Sequence, residues 1–122
     1  MDKLNISTAG GCVEKVTNYI AQALKAQRVS AADSAALLSA AEEIMTAISA
    51  ADANGSVIVS AEKNAKGFCM QFMHAGPLFN PCPSDVESLT QQSMDEISFE
   101  FKYGRNVLTV FRRANSEKTF MR

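Results

Sequence analysis

The chain has 122 residues, a formal net charge of −1, 47% hydrophobic residues and 20% charged residues. That length suits one domain, which can bury enough apolar surface to fold without disulfides or a structural metal. The composition excludes a disordered, collagen-like or disulfide-rich chain. The surplus basic residues gather only toward the end of the sequence, which does not make the basic stripe of a nucleic-acid binder.

The cysteines and the apolar runs bear on the compartment. Cys12, Cys69 and Cys82 are odd in number and widely spaced, which predicts reduced thiols. No run has the length of a membrane-spanning helix, and the start lacks the apolar stretch of a signal peptide. We therefore expect a cytoplasmic protein that binds neither nucleic acid nor membrane. Residues 1–113 are expected to form one domain, and residues 114–122 a polar tail.

The first half of the chain predicts one strand and two helices. Residues 3–8 alternate apolar and polar side chains, as a strand does, and two glycines follow. Apolar residues spaced by three and four predict a helix over residues 13–27. A second helix starts after Ser30, a good N-cap residue, with Asp33 at the position of a capping box. The turn at residues 52–55 ends it.

The second half predicts strands around a proline-rich loop. The closing hairpin is the clearest element, with Ile97, Phe99 and Phe101 pointing inward. Because the helices precede most of the strands, the order favours an α+β two-layer sandwich over βαβ winding. The elements are strands 56–62 and 68–74, a loop over 75–85, a short helix or irregular segment over 86–94, and strands 97–103 and 107–111 joined by a turn at 104–106.

One candidate site residue lies on the second helix. Glu43 shares a helical face with the small residues Ala36, Ala40 and Ala47. A carboxylate on such a face is either a general base bordering a cavity or a solvated side chain beside the apolar stripe. Helix spacing alone favours the solvated side chain.

The other candidate is His74, at the end of a strand that enters a glycine- and proline-containing loop. Strand ends that open into loops often bind ligands, so His74 is a candidate base or ligand. A lone histidine on the apolar face of a strand is more often packed and neutral. Alternation places Cys69 and His74 on opposite faces, and their spacing from Cys82 matches no zinc site, so no metal is expected.

Three segments resemble a known family in order and spacing. AAEEIMTAIS resembles A-x-E-E-A-x-T-N-A-I/V, HAGPLFNP resembles D-x-G-P-x-F-D-P, and SMDEISFEFKYGRNVLTVFRR resembles M-D-E-V-x-Y-x-x-x-x-G-x-N-x-L-T-L-x-K-R. On these motifs the chain resembles the ATPase domain of bacterial anti-sigma-factor serine kinases, within the Bergerat-fold superfamily of histidine kinases. The resemblance covers about residues 3–113. It implies a mixed, mostly antiparallel sheet with helices on one face and nucleotide bound between the layers.

The resemblance also implies roles for individual residues. Glu43 matches the family's general base, but Ala47 stands where the family has its magnesium-binding Asn. His74 stands where an Asp reads adenine. A methyl group cannot ligate magnesium, and an imidazole differs from a carboxylate in size and reach. The remaining nucleotide-pocket positions that match the family are Gly76, Pro77 and Phe79.

A third departure concerns the family's glycine-rich turn, whose backbone amides hold phosphates. Its glycines fall at about Ser84 and Val86 here, and a β-branched residue disfavours the backbone conformations that glycine permits. Three losses together predict a pocket without magnesium–ATP chemistry, because phosphoryl transfer depends on positioning and on electrostatic stabilisation.

The expected function is a degenerate, anti-sigma-kinase-like regulatory module that acts by protein–protein interaction. The partners that the resemblance implies are a STAS-type anti-sigma antagonist, a sigma factor, or a second copy of the chain. No cofactor is expected, with at most weak binding of ATP and magnesium. One alternative is an active ATP-dependent serine kinase with atypical pocket residues. Another is a small-molecule sensor that reuses the pocket with His74 as its polar anchor.

Overall fold

The computed structural model describes residues 3–114. Most of the tail expected over residues 114–122 therefore lies outside the described residues. The elements follow the predicted order, and the ambiguous segment before the hairpin contains a short helix. They are β1 (Leu4–Ser7), α1 (Cys12–Ala26), α2 (Ala31–Ala51), β2 (Ser56–Lys63), β3 (Gly67–Ala75), α3 (Leu89–Ser93), β4 (Glu96–Lys102) and β5 (Arg105–Arg113).

The strands form one five-stranded sheet in the order β1-β2-β3-β5-β4, and each neighbouring pair is antiparallel. Helices α1 and α2 connect β1 to β2. The chain then returns beside β1, so that β2 runs antiparallel to it. Hairpins join β2 to β3 and β4 to β5. The resemblance implies a mixed sheet, which requires at least one parallel pair of strands. Among the described strands every neighbouring pair is antiparallel.

The two long helices form where the sequence predicts them. The stripe of α1 is buried at Val16, Ile20 and Leu24. At the start of α2 the Ser30 hydroxyl accepts a hydrogen bond from the backbone N–H of Asp33 at 3.1 Å, as an N-cap does. Both helices thus direct their apolar faces to the sheet, where burial of apolar surface stabilises them.

The core lies between the helices and one face of the sheet, as in an α+β two-layer sandwich. Alternate side chains of the central strands face the helices and are at most 4% exposed, whereas the side chains between them on the same strands are mostly partly exposed. No helix in residues 3–114 is long and apolar enough to cross a membrane. The buried side chains of these strands are Val57, Val59, Ala61, Phe68, Met70, Phe72, Leu108 and Val110.

Two details of the closing hairpin differ from the prediction. The turn is Tyr103-Gly104, with φ of 54° and 74°, and Asn106 is not in it but is buried within β5. Positive φ at both central residues is typical of the tight turns that join hairpin strands. Phe101 lies on the helix-facing side as predicted but remains 43% exposed, because β4 is an edge strand that the helices cover incompletely.

Candidate functional site

The carboxylate of Glu43 contacts the start of α3. Its Oε2 accepts a hydrogen bond from the backbone N–H of Leu89 at 3.1 Å. Its Oε1 accepts one from the backbone N–H of Thr90 at 2.9 Å and one from the Thr90 hydroxyl at 2.7 Å. The first N–H groups of a helix have no acceptor within the helix. Glu43 supplies that acceptor from α2, and the Ser88 hydroxyl supplies another to the N–H of Gln91 at 3.0 Å.

These contacts set the charge state of Glu43. Partial burial raises the pKa of its carboxyl, but hydrogen bonds donated by Thr90, Leu89 and Ser88 outweigh burial, and the pKa lies below its usual value. A general base that works near neutral pH needs the opposite shift. In this structure the partly exposed carboxylate accepts hydrogen bonds from the first N–H groups of α3. It anchors α3 to α2.

Replacing Glu43 by glutamine should lower the free energy of unfolding by about 1–2 kcal/mol at neutral pH, because an amide has one acceptor oxygen and no charge. A Glu with a lowered pKa stabilises the fold above its unfolded pKa, and this contribution is lost as pH falls through the folded pKa. The difference between E43Q and the natural chain should therefore shrink in acid. Urea unfolding measures it, with the exposed neighbour variant E42Q as a control that changes little.

Ala47 lies one helical turn beyond Glu43 on the same side of α2 and is partly exposed. Magnesium takes oxygen ligands, and the methyl group supplies none. Among residues 3–114 no group of three or more His, Cys, Asp or Glu side chains is placed to hold a metal ion. Ala47 therefore supplies no ligand for the magnesium ion that the resemblance implies.

His74 is buried on the helix-facing side of the sheet, with 5% of its surface exposed. It lies between Val57 of β2 and Asn106 of β5, and its ring meets the ring of Phe79 edge-on at 6.0 Å between centroids. Its Nδ1 has no hydrogen-bond partner among the described residues. Burial lowers the pKa of His74, and the nearby Asp52 carboxylate opposes this only in part. The imidazole is therefore packed and neutral at pH 7.

The free energy of unfolding should decrease as the pH is lowered from about 7.5 to 5.5, by at most about 1.4 kcal/mol per pH unit. The folded pKa of His74 is lowered, so within this window the unfolded chain binds a proton that the folded chain does not. His74 is the only histidine in the sequence. Urea unfolding across this range should show the slope in the natural chain and a flat profile in H74F. An equal slope in both would contradict the assignment.

The loop after β3 is fastened to β5 by a residue that the sequence analysis missed. The Asn106 side chain is fully buried; its Oδ1 accepts a hydrogen bond from the backbone N–H of Phe79 at 2.7 Å. Its Nδ2 donates to the carbonyl of Pro77 at 2.9 Å and to that of His74 at 3.4 Å. Gly76, with φ of 137°, begins the loop, and its N–H donates to the carbonyl of Gly104 at 3.0 Å.

One sequence signal could have identified Asn106. It stands two and four residues before Leu108 and Val110, so strand alternation places all three side chains on the apolar face. An amide on such a face requires hydrogen-bond partners. Residues 104–106 were instead predicted to form a turn, because Gly-x-Asn is also a common turn sequence.

The segment aligned with the family's glycine-rich turn adopts no glycine-type backbone. In the described part of the chain the non-glycine residues with positive φ are Arg28 and Tyr103, so neither Ser84 nor Val86 is among them. Val86 is 80% exposed. The segment is tied to α3, because the Gln91 amide donates to the carbonyl of Pro83 at 2.9 Å.

The six predicted site residues fall into two groups. Glu43, with Ala47 one turn away, faces α3, whereas His74, Gly76, Pro77 and Phe79 gather around Asn106. Cys82 is buried beside Gln91 of α3, and burial followed by the charge of Glu43 raises the pKa of its thiol. All three cysteines are free.

An open groove lies away from both groups. It has a volume of about 620 Å³ and runs past the Gly10-Gly11 turn between the start of α1 and the later part of α2. Glu14 and Glu42 border it. None of the predicted site residues lines this groove, and its carboxylates do not suit an anionic nucleotide.

No model of a known protein family matches the chain. No curated protein matches it either. The resemblance to anti-sigma-factor kinases therefore remains a prediction from the sequence motifs.

Proposed function

We propose that the chain is a cytoplasmic regulatory module of the anti-sigma-kinase-like type that binds proteins and does not carry out magnesium–ATP chemistry. The partners proposed are a STAS-type anti-sigma antagonist, a sigma factor or a second copy of the chain, and no cofactor is required. The proposal combines the family motifs with the chemistry of the residues that stand at the family's functional positions.

The observation that carries the proposal is the use of Glu43. Phosphoryl transfer depends on a base or water-positioning group, a bound metal and amides directed at phosphate. Here the carboxylate proposed as the former base accepts hydrogen bonds from the first amides of α3, Leu89 and Thr90. The carboxylate and those amides are thus hydrogen-bonded to each other. Ala47 offers no metal ligand beside it.

The state of His74 supports the same conclusion. In the family an Asp at this position accepts a hydrogen bond from the adenine amino group. The imidazole here is buried and packs edge-on against Phe79. Asn106 holds the adjoining loop by the backbone of Pro77 and Phe79. These contacts hold the backbone of the loop on β5, while the side chains of Pro77 and Leu78 are exposed.

Calorimetry and thermal unfolding with ATP and ADP, each with and without magnesium, test the proposal. The expected result is no heat of binding and no change in unfolding temperature. A nucleotide present at about 100 times its dissociation constant would stabilise the fold by about 2.7 kcal/mol, which is easily detected. Micromolar, magnesium-dependent binding would contradict the proposal and favour an active ATP-dependent kinase.

The A47N/H74D variant restores the family residues at two positions. Circular dichroism must first show that the variant is folded, because H74D places a carboxylate at a buried position. Magnesium-dependent binding by the folded variant and none by the natural chain would attribute the loss to these two residues. If neither binds, the loss lies with Glu43 and with the Ser84–Val86 segment.

A further inference from the structure

The strand β4 leaves one edge of the sheet unpaired in the described part of the chain. It is seven residues long and pairs on one side with β5. The two-residue turn at Tyr103-Gly104 makes Lys102 and Arg105 a hydrogen-bonded pair, and such pairs recur at every second residue. The backbone N–H and C=O groups of the intervening residues, Ile97, Phe99 and Phe101, therefore point to the free edge.

The same three residues carry the apolar side chains of β4. Ile97 and Phe99 are half-buried against the core, and Phe101 is 43% exposed. The edge thus presents unpaired backbone groups beside a partly exposed apolar row. Long edge strands of this kind pair with other strands unless they are protected. At the opposite edge, β1 has only four residues.

We propose that β4 pairs antiparallel with β4 of a second copy, about a two-fold axis at Phe99. In this register Phe99 faces Phe99, and Ile97 faces Phe101 of the second copy. Each of these residues both donates and accepts a backbone hydrogen bond across the axis, and their side chains stack in one continuous apolar row. Since residues that face each other share a side of the sheet, both helical layers lie on the same side.

The charges on the opposite face of β4 select this register. With the axis at Phe99, Glu96 faces Lys102 of the second copy, and Ser98 faces Glu100. Shifting the axis to Ser98 places Glu96 opposite Glu100, and shifting it to Glu100 places that carboxylate opposite its own copy. Like charges directly opposite each other destabilise strand pairing. Lys102 is available for the contact, because its pair with Glu100 in the same chain is exposed and 3.6 Å long.

The shifted registers are also shorter. An axis at Phe99 pairs the whole of β4, Glu96–Lys102, with itself. A shift by one residue in either direction leaves the strand ends without a strand residue opposite them. Apolar contacts, backbone hydrogen bonds and charges therefore favour the same isologous arrangement, in which one surface binds its own copy.

Sedimentation equilibrium of the full chain, from low micromolar to submillimolar concentration, tests the dimer. The natural chain should form dimers in this range. E96K and K102E each place like charges opposite each other twice across the two-fold axis and should weaken dimerisation by about tenfold. The double variant E96K/K102E restores opposite charges and should return to near the natural dissociation constant. Both residues are exposed, so the variants should keep the fold.

The matched control is E62K, which reverses an exposed charge on β2 rather than on the β4 edge and should leave dimerisation unchanged. A chain that stays monomeric throughout the range contradicts the proposal, as does a dimer that the single charge reversals do not weaken or the double variant does not restore. The inference rests on the proposed function in one respect, because that proposal names a second copy of the chain among the partners. Failure of the dimer proposal is distinguishable from failure of the proposed function, because nucleotide calorimetry does not depend on β4.

Discussion

Replacing Asn106 by alanine should lower the free energy of unfolding by about 2–4 kcal/mol. The substitution removes the acceptor for the Phe79 N–H and the donor to the Pro77 carbonyl, which lie 2.7 Å and 2.9 Å from the amide. It also leaves a space in a fully buried site. Urea unfolding measures the loss, and faster amide exchange at Phe79 should accompany it.

Two further variants separate the amide's hydrogen bonds from its volume. N106D keeps the shape and can still accept from Phe79, but it cannot donate to Pro77 when ionised and buries a charge, so it should be at least as harmful as N106A. N80A removes an exposed asparagine of the same loop and should cost less than about 1 kcal/mol. A loss in N106A no larger than that in N80A would contradict this role of Asn106.

Replacing Arg112 by methionine should lower the free energy of unfolding by about 2–4 kcal/mol. Its guanidinium Nε lies 2.8 Å from a carboxylate oxygen of Asp33, which is 5% exposed, and its Nη1 donates to the carbonyl of Ser93 at 2.7 Å. One side chain of β5 thus joins the first turn of α2 to the end of α3. Methionine keeps the apolar stem but removes the ion pair with the buried Asp33 carboxylate.

The adjacent Arg113 provides the matched control. Its ion pair with Asp95 is 3.9 Å long, and the side chains are 59% and 39% exposed. R113M should therefore change the free energy of unfolding by less than about 1 kcal/mol in urea titrations. Equal losses in R112M and R113M would show that the pair with Asp33 contributes no more than a surface pair.

Local patterns predicted much of this fold. Helix spacing identified the buried stripe of α1, and Ser30 marked the start of α2. Strand alternation placed Cys69 and His74 on opposite sides of the sheet, as the pairing of β3 confirms. Such features depend on neighbours in sequence, which is why they can be read without a structure.

The contacts at the candidate site could not be predicted in the same way. Glu43 and Thr90 are 47 residues apart in sequence, and nothing near Glu43 indicates that a later helix needs an acceptor. A carboxylate beside small residues is consistent with solvent, a cavity or a cap, and helix spacing alone favours solvent. Phe101 was placed on the correct side of β4, but its exposure depends on β4 being at the sheet edge. Sheet order is a tertiary property.

We propose that the Glu43 carboxylate holds α3 and does not serve as a base. An NMR titration of the Glu43 side chain, followed together with the backbone amides of Leu89 and Thr90, tests it most directly. We expect a pKa below the usual glutamate value and amide shifts that titrate with the same midpoint, because those amides donate to the carboxylate. A pKa raised above the usual value, with the two amides insensitive to the titration, would contradict it.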